Sequence, residues 1–188
     1  MNYLKYYHHN IIKYDLLYKF YYKNMTKIPK IEKVILVFRL NKGINLNILA
    51  SQLLALELIT LQRSKILKSQ NFQLNLKIRK GFPIGCKLIL RKHLMFLFLI
   101  KLKIHYFPIL KHLVYFNQYS NNIKSNIKTF SFTLDKILVF PEINSKYHLF
   151  NKLDNLNCTI TANCTVFHEF YFILKSLKFP VTLNKNTK

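Results

Sequence analysis

The chain has 188 residues, of which 51% are hydrophobic and 20% are charged. This balance excludes a disordered basic tail and allows one domain with a buried core. Lysine and arginine number 30 against 7 acids, a net charge of +23, so most cations must stay solvated or meet an external polyanion. Nucleic acid is the first candidate partner, and an anionic membrane is the second.

Periodicity in the first half of the chain predicts alternating helices and strands. Apolar residues four apart predict a first helix over residues 10–20, and alternation predicts a strand over Ile31–Leu40. Asn45 or Asn47 is a candidate cap for a second helix that runs to about Gln62. Two further strands are predicted on either side of a basic loop. They are Arg63–Lys68 and Ile84–Arg91.

The second half continues the mixture without a regular strand–helix alternation. The predicted elements are a helix Leu94–His105, an Asn-rich loop Asn117–Asn126, strands Lys128–Thr133, Lys136–Phe140 and Thr159–Asn163, and a helix Phe167–Leu177. This order predicts an α+β fold with a mostly antiparallel sheet, helices packed on one face and a long basic loop between two strands. No linker divides the chain, so residues 1–188 are expected to form a single domain.

The segment 77–91, KIRKGFPIGCKLILR, concentrates charge at a sharp corner. Gly81 and Gly85, two of only three glycines in the chain, bracket Phe82-Pro83-Ile84. Glycine lets the backbone turn tightly, and proline fixes its path. The cations around this corner are Lys77, Arg79, Lys80, Lys87 and Arg91, with no acid among them. A basic arm of this kind is suited to phosphate contacts, and RNA is its expected partner.

Residue spacings argue against catalysis, a metal site, a cofactor or a membrane span. The seven acids are scattered, and neither a phosphate-binding glycine loop nor a serine nucleophile elbow occurs. His105 and His112 have no neighbouring acid or cysteine, unlike zinc ligands. The three cysteines predict reduced structural thiols rather than a disulfide framework. The most apolar stretch, Leu94–Phe116, is interrupted by charges and by Pro108.

Five motifs then occur in a recognisable order. They are Tyr22-Lys23-Asn24-Met25 with Ile28-Pro29-Lys30-Ile31-Glu32-Lys33, LKIRKGFPIGCKLILR at 76–91, Phe140-Pro141-Glu142-Ile143, Thr159-Ile160-Thr161 and Phe179-Pro180. In this order and spacing the chain resembles the fifth large-subunit ribosomal protein family over roughly residues 12–180. Residues 1–11 and 181–188 are then terminal extensions. Because Lys, Asn, Ile, Phe and Tyr have AT-rich codons, the chain looks like an organelle-encoded, mitochondrial member that works in the matrix.

The resemblance implies a structural protein of the central protuberance, without cofactors. Its implied partners are large-subunit rRNA, 5S rRNA where present, P-site tRNA, neighbouring ribosomal proteins and a protein of the small-subunit head. By position it assigns RNA binding to Lys23, Asn24, Lys30, Gln62, Arg63, Lys68, Lys87 and Arg91. It assigns a tRNA-facing loop to Lys77, Arg79, Lys80 and Gly81.

Three stretches depart from the family pattern. Its Asn-x-Gly reads Val37-Phe38-Arg39, its Gly-Gln reads Leu61-Gln62, and its basic loop tip reads Ser69-Gln70-Asn71-Phe72. Two other functions are kept as alternatives. One is a peripheral membrane protein that uses the basic and aromatic segment Leu94–Leu113. The other is an RNA-processing factor that uses Glu142 or His168.

Overall fold

The computed structural model describes residues 3–39, 46–72, 78–109, 114–116, 127–164 and 166–183. Its helices are α1 (Tyr3–Tyr7), α2 (Lys13–Lys19), α3 (Leu46–Thr60), α4 (Lys92–Lys101), α5 (Pro141–Asn144), α6 (Tyr147–Phe150) and α7 (Phe167–Ser176). Its strands are β1 (Lys30–Arg39), β2 (Lys65–Lys68), β3 (Pro83–Leu90), β4 (Val114–Phe116), β5 (Ile127–Leu134), β6 (Leu156–Asn163) and β7 (Val181–Leu183).

Five of the strands form one antiparallel sheet in the order β2-β3-β1-β6-β5. A separate pair, β4 and β7, runs parallel and was not predicted from the sequence. The α+β class and the predominantly antiparallel sheet are confirmed. No helix in the described ranges is long and apolar enough to cross a membrane.

The chain divides into two compact units, each assembled from segments that are distant in sequence. The first unit comprises Met1–Val34, Arg91–Phe132 and Thr159–Lys188, and the second comprises Ile35–Leu90 and Thr133–Cys158. The division falls inside β1, β5 and β6, so both units contain parts of these three strands.

In the first unit, the N-terminal helix is longer than predicted and contains a π-helical turn. The helix starts at Tyr3, and a π turn over His8–Ile12 joins α1 to α2. Its buried row is Leu4, His8, Ile12 and Leu16, at a strict spacing of four. A regular α-helix has 3.6 residues per turn, so such a row would drift around its surface. The wider π turn restores the alignment and keeps the row against the core.

This row packs against the apolar face of α4. Helix α1 contacts α4, whose Met95, Phe96, Phe98 and Leu99 are buried. The helix continues through a second π turn, Leu102–Tyr106, and ends in a 3-10 turn that contains Pro108. At that end the Phe107 ring meets the Phe179 ring edge to face, with centroids 4.8 Å apart. The predicted third helix is therefore present, with its end near Pro108 as expected.

In the second unit, alternate residues of the strands form the buried core. Leu36 and Phe38 of β1 and Cys86, Leu88 and Leu90 of β3 are buried on one face, and α3 packs against β3. Gly85 lies on the other face of β3. A Cβ atom there would collide with the carbonyl oxygen of Phe38 and lie 3.3 Å from Arg39 Cα. Glycine is therefore required for the close approach of β3 to β1, not for the approach of an external partner.

One predicted strand is wrong. Lys136–Phe140 does not extend, because Ile137–Val139 forms a 3-10 turn and Pro141 then begins α5. Proline suits the first position of a helix, where its missing N–H would have no partner. Glu142 therefore lies in the first turn of a helix rather than at a strand end. The predicted loop Asn117–Asn126 lies outside the described residues.

All three cysteines are free and buried. Burial raises the pKa of the Cys86 thiol and of the Cys164 thiol to about 12, and it raises the pKa of Cys158 further. The thiols are therefore protonated at neutral pH and serve as small apolar side chains.

His8 is a polar residue in an otherwise apolar row. It is 4% exposed, and neither ring nitrogen has a hydrogen-bond partner. Its ring packs against that of Phe96, with centroids 5.6 Å apart. Burial, followed by the positive charges of His9 and Lys30, lowers the pKa of His8 to about 4. His8 is therefore neutral in the folded chain at neutral pH.

We predict that His8 makes the fold sensitive to acid. In the unfolded chain histidine protonates below pH 6.5, whereas folded His8 stays neutral down to about pH 4. The unfolded state then binds more protons, so about 3 kcal/mol of stability is lost as pH falls from 7 to 4. His8→Phe, which keeps the ring contact, is expected to remove this part of the loss in chemical denaturation. The surface variant His148→Phe is the control, and an unchanged pH profile in His8→Phe would contradict the prediction.

Candidate nucleic-acid interface

The base of the basic arm is a defined turn in the second unit. The Ser69 N–H donates to the Phe82 carbonyl at 2.7 Å, and the Gly81 N–H donates to the Ser69 carbonyl at 2.9 Å. Gly81 has φ +86°, a left-handed conformation that glycine adopts without strain. Arg79 and Lys80 are exposed at this turn. Three of the four residues predicted for the tRNA-facing loop are thus brought together, while Lys77 lies outside the described residues.

Beyond the turn, β2 and β3 form an antiparallel pair that carries opposed lysines. Lys65 lies directly opposite Lys87, and Leu67 lies opposite Gly85. Lys87 alternates with the buried Cys86 and Leu88, so both lysines lie on the face of the sheet away from the core. Directly opposed like charges destabilise a strand pair. Neither ammonium group makes an ion pair within the described part of the chain.

The predicted residues Arg63 and Lys68 flank this pair. Both are exposed, Arg63 just before β2 and Lys68 at its end, opposite Pro83. A shift of register between Leu67 and Lys68 interrupts the regular pairing where the chain enters the arm. We refer to this strand pair, with Lys65 and Lys87 and the flanking Arg63 and Lys68, as the β2–β3 surface.

Gln62 joins the end of α3 to this sheet. Its side-chain Nε2 donates to the Ile89 carbonyl at 3.3 Å. The preceding Leu61 has φ +58° and is 75% exposed. The Ser64 N–H donates to the Glu57 carboxylate at 3.3 Å, which anchors the start of β2. Gln62 therefore orients the strands, in addition to the RNA contact predicted for it.

The remaining predicted RNA-binding residues belong to the first unit. Lys23 and Asn24 are exposed in the segment between α2 and β1, and Lys30 is the exposed first residue of β1. The Asn24 carbonyl accepts a hydrogen bond from the Lys27 N–H at 3.1 Å. Arg91 is exposed at the N-cap position of α4. These four are not part of the β2–β3 surface.

Sequence reasoning missed two cations. Lys65 stands opposite Lys87, and Arg39 is exposed at the end of β1, beside the site where Gly85 approaches. The sequence gives little indication of Lys65, because the pairing register of a four-residue strand cannot be predicted from that strand alone. Among the described residues, no three His, Cys, Asp or Glu side chains are grouped as metal ligands would be.

Comparisons with known proteins give one consistent result. The chain is 35% identical over 187 residues to the large ribosomal subunit protein uL5m of Reclinomonas americana, covering 98% of this chain and 100% of that protein. It is 33% identical to the large ribosomal subunit protein uL5 of Geobacter sulfurreducens, covering 93% of this chain and 94% of the relative. The uL5 of Blochmanniella floridana is 30% identical, with 96% and 93% covered.

The chain belongs to the uL5 family. No protein-family model matches it. The family resemblance stated from the motifs is confirmed, and the relatives support a structural role in the large ribosomal subunit.

Two departures from the uL5 pattern have structural explanations. Leu61, at a position where the resemblance expects a glycine, has a left-handed backbone at the end of α3, and its N–H donates to the Glu57 carbonyl at 2.8 Å. The stretch Ser69–Phe72, predicted as the loop tip, lies at the base of the arm: Ser69 is buried and its hydroxyl donates to the Asn71 carbonyl at 2.6 Å, whereas Phe72 is exposed. Local hydrogen bonds of Ser69 therefore order the start of the arm.

We predict that Leu61→Gly stabilises the chain. A left-handed conformation costs a non-glycine residue about 1–2 kcal/mol, and the exposed Leu61 side chain buries little surface that would be lost. After the extra backbone entropy of glycine in the unfolded state, the net gain is expected to be about 1 kcal/mol by chemical denaturation. Leu149→Gly, at an exposed site in α6 with negative φ, is the control and should destabilise. A less stable Leu61→Gly would show that the Leu61 side chain is needed.

Proposed function

We propose that the chain is an RNA-binding structural protein of the mitochondrial large ribosomal subunit. The observation that carries this proposal is the opposition of Lys65 and Lys87 on the outer face of β2 and β3. The two lysines repel each other in the free chain, and the pair is stabilised when each of its charges contacts a phosphate. RNA, which presents phosphates at regular intervals, is the polyanion that best fits a surface of at least four cations.

The β2–β3 surface is suited to positioning rather than to base readout. Lysine contacts phosphates as a compact point charge and carries no sequence information by itself. The strand pair is rigid, because β3 is held against β1 at Gly85 and Gln62 joins α3 to β3. A rigid array of cations neutralises an RNA segment and fixes its register. The protein thus acts by orienting rRNA, and 5S rRNA is its proposed partner where the ribosome contains one.

The arm that begins at Arg79 and Lys80 supports a second contact. Its base, next to the strand pair, is a turn fixed by three hydrogen bonds, including that from the Phe82 N–H to the Arg79 carbonyl at 3.2 Å. We propose that this arm reaches P-site tRNA and that the protein also contacts a small-subunit head protein. The location in the central protuberance and the roles of the other predicted residues are proposed on the family resemblance.

The mitochondrial location rests on two observations. The uL5m of Reclinomonas americana is among the most similar relatives, and the residue usage is that of an AT-rich genome. Bacterial uL5 proteins are nearly as similar. The rival functions, a peripheral membrane protein and an RNA-processing factor, lack such support, because the relatives are ribosomal proteins.

The proposal predicts a specific change in salt dependence. The double variant Lys65→Gln with Lys87→Gln removes two phosphate contacts from binding to a large-subunit rRNA fragment. The slope of log K against log salt is expected to fall by about two units, since each phosphate contact contributes about 0.9. Fluorescence anisotropy over a range of salt concentrations measures this slope.

The matched control removes the same charge elsewhere in the second unit. Lys136 and Lys146 are exposed and lie outside the strand pair, so Lys136→Gln with Lys146→Gln is expected to change the slope much less. Equal effects of the two double variants would mean that the chain binds RNA through net charge alone, and would contradict the proposed surface.

A further inference from the structure

A pocket of about 460 Å³ lies in the first unit, apart from the β2–β3 surface. It is formed by the segment that follows α2 and by the first turn of α7. Its lining residues are Lys19, Phe20, Tyr21, Tyr22, Lys23, Lys27 and Glu169. Three cations and one carboxylate give the lining a net charge of +2, so the pocket favours an anionic ligand. Its volume is within the range of small-ligand sites.

One cation of the pocket is held in place by aromatic rings. Lys19 Nζ lies 4.6 Å from the centroid of the Phe172 ring and 5.9 Å from that of Phe20. The two rings themselves meet edge to face at 6.1 Å. A cation over an aromatic face is attracted by the ring without being neutralised. Lys19 therefore offers an ordered positive charge to a ligand.

The carboxylate of the pocket, that of Glu169, caps the N-terminus of α7. Glu169 is 5% exposed, and its Oε2 accepts a hydrogen bond from the Val166 N–H at 3.4 Å, which caps the helix. Burial, and then the neighbouring Glu169 carboxylate, raise the pKa of Tyr22. Tyr22 therefore stays protonated. Glu169 is thus a buried member of the pocket lining, while Lys23 and Lys27 are exposed members of it.

An aromatic side chain with no packing role lines the same pocket. Tyr21 is 98% exposed, and Tyr18, one turn earlier, is 91% exposed. Large rings left in water beside a basic groove provide stacking platforms for bases. An exposed ring beside several cations matches two of the three parts of a nucleotide, the planar base and the phosphate.

We propose that this pocket binds one unstacked nucleotide of a single-stranded RNA segment, with its base on Tyr21 and its phosphate among Lys19, Lys23 and Lys27. This inference rests on the proposal that RNA is the partner. It adds a second binding site, which recognises single-stranded RNA. The β2–β3 surface requires only phosphates, whereas the pocket requires a base that is free to stack. Single-stranded loops and bulges supply such bases.

The test uses the full chain and a fluorescently labelled single-stranded RNA octamer without self-complementarity. Tyr21→Ala is expected to weaken binding about tenfold without changing the salt slope, because stacking carries no counterion. Lys23→Gln with Lys27→Gln is expected to lower the salt slope by about 1.4, since each phosphate contact on a single strand contributes about 0.7. All three side chains are exposed, so these variants are expected to fold, which thermal unfolding checks.

Matched controls separate this proposal from that for the β2–β3 surface. Tyr147→Ala, also at an exposed tyrosine, and the Lys136/Lys146 double variant should leave octamer binding nearly unchanged. The Lys65/Lys87 double variant should lose affinity mainly for the structured rRNA fragment. Octamer binding unchanged in Tyr21→Ala and in the Lys23/Lys27 variant would overturn the pocket proposal and leave the β2–β3 surface intact.

A second assay tests whether the pocket binds the phosphate of a lipid headgroup instead of RNA. Vesicles of phosphatidylcholine and phosphatidylserine are offered to the same variants in a flotation assay. If Tyr21→Ala released the chain from these vesicles while octamer binding stayed unchanged, the pocket would be a lipid site and the proposal would be wrong. Loss of octamer binding in Tyr21→Ala, with no effect on flotation, is the expected result.

Discussion

The close approach of β3 to β1 at Gly85 is the constraint on which the β2–β3 surface depends. No side chain fits there, because a Cβ atom would collide with the Phe38 carbonyl oxygen. The contact fixes β3 and therefore fixes where Lys87 stands. Since β2 pairs with β3 in register, it also sets Lys65 opposite Lys87. The backbone contact between β3 and β1 thus determines where the lysines of the β2–β3 surface lie.

The free chain carries repulsion between positive charges, which a bound polyanion reduces. Thirty cations face seven acids, and two lysines are directly opposed on one strand pair. Self-repulsion of this kind destabilises a compact state. The burial of aromatic and aliphatic side chains offsets this repulsion. Phe38, Phe98 and Phe170, for example, are fully buried. Even His8, in the buried row of the N-terminal helix, is kept neutral by its surroundings. None of the described lysines and arginines is buried, so positive charge lies at the surface, where RNA is proposed to meet it.

Much of this architecture could be predicted from the sequence, because alternation and the four-residue spacing report which face of an element is buried. The strands Ile31–Leu40 and Ile84–Arg91 and the helix Phe167–Leu177 were found to within about two residues. Lys136–Phe140 was misassigned because Pro141 was interpreted as the end of a strand, although proline equally begins a helix. Lys65 was missed because its role arises from register, which is a property of two strands together. The pocket beside Tyr21 combines a segment near residue 20 with Glu169, and no local pattern reveals such a pairing.

The central claim, that Lys65 and Lys87 face RNA in the ribosome, is tested most directly by lysine footprinting. Purified large subunits and the free chain are treated with an amine-specific reagent, and the modification rate at each lysine is measured by mass spectrometry. The account predicts that Lys65 and Lys87 react readily in the free chain and are strongly protected in the subunit. Equal rates in both states, in a chain that still sediments with the large subunit, would contradict it.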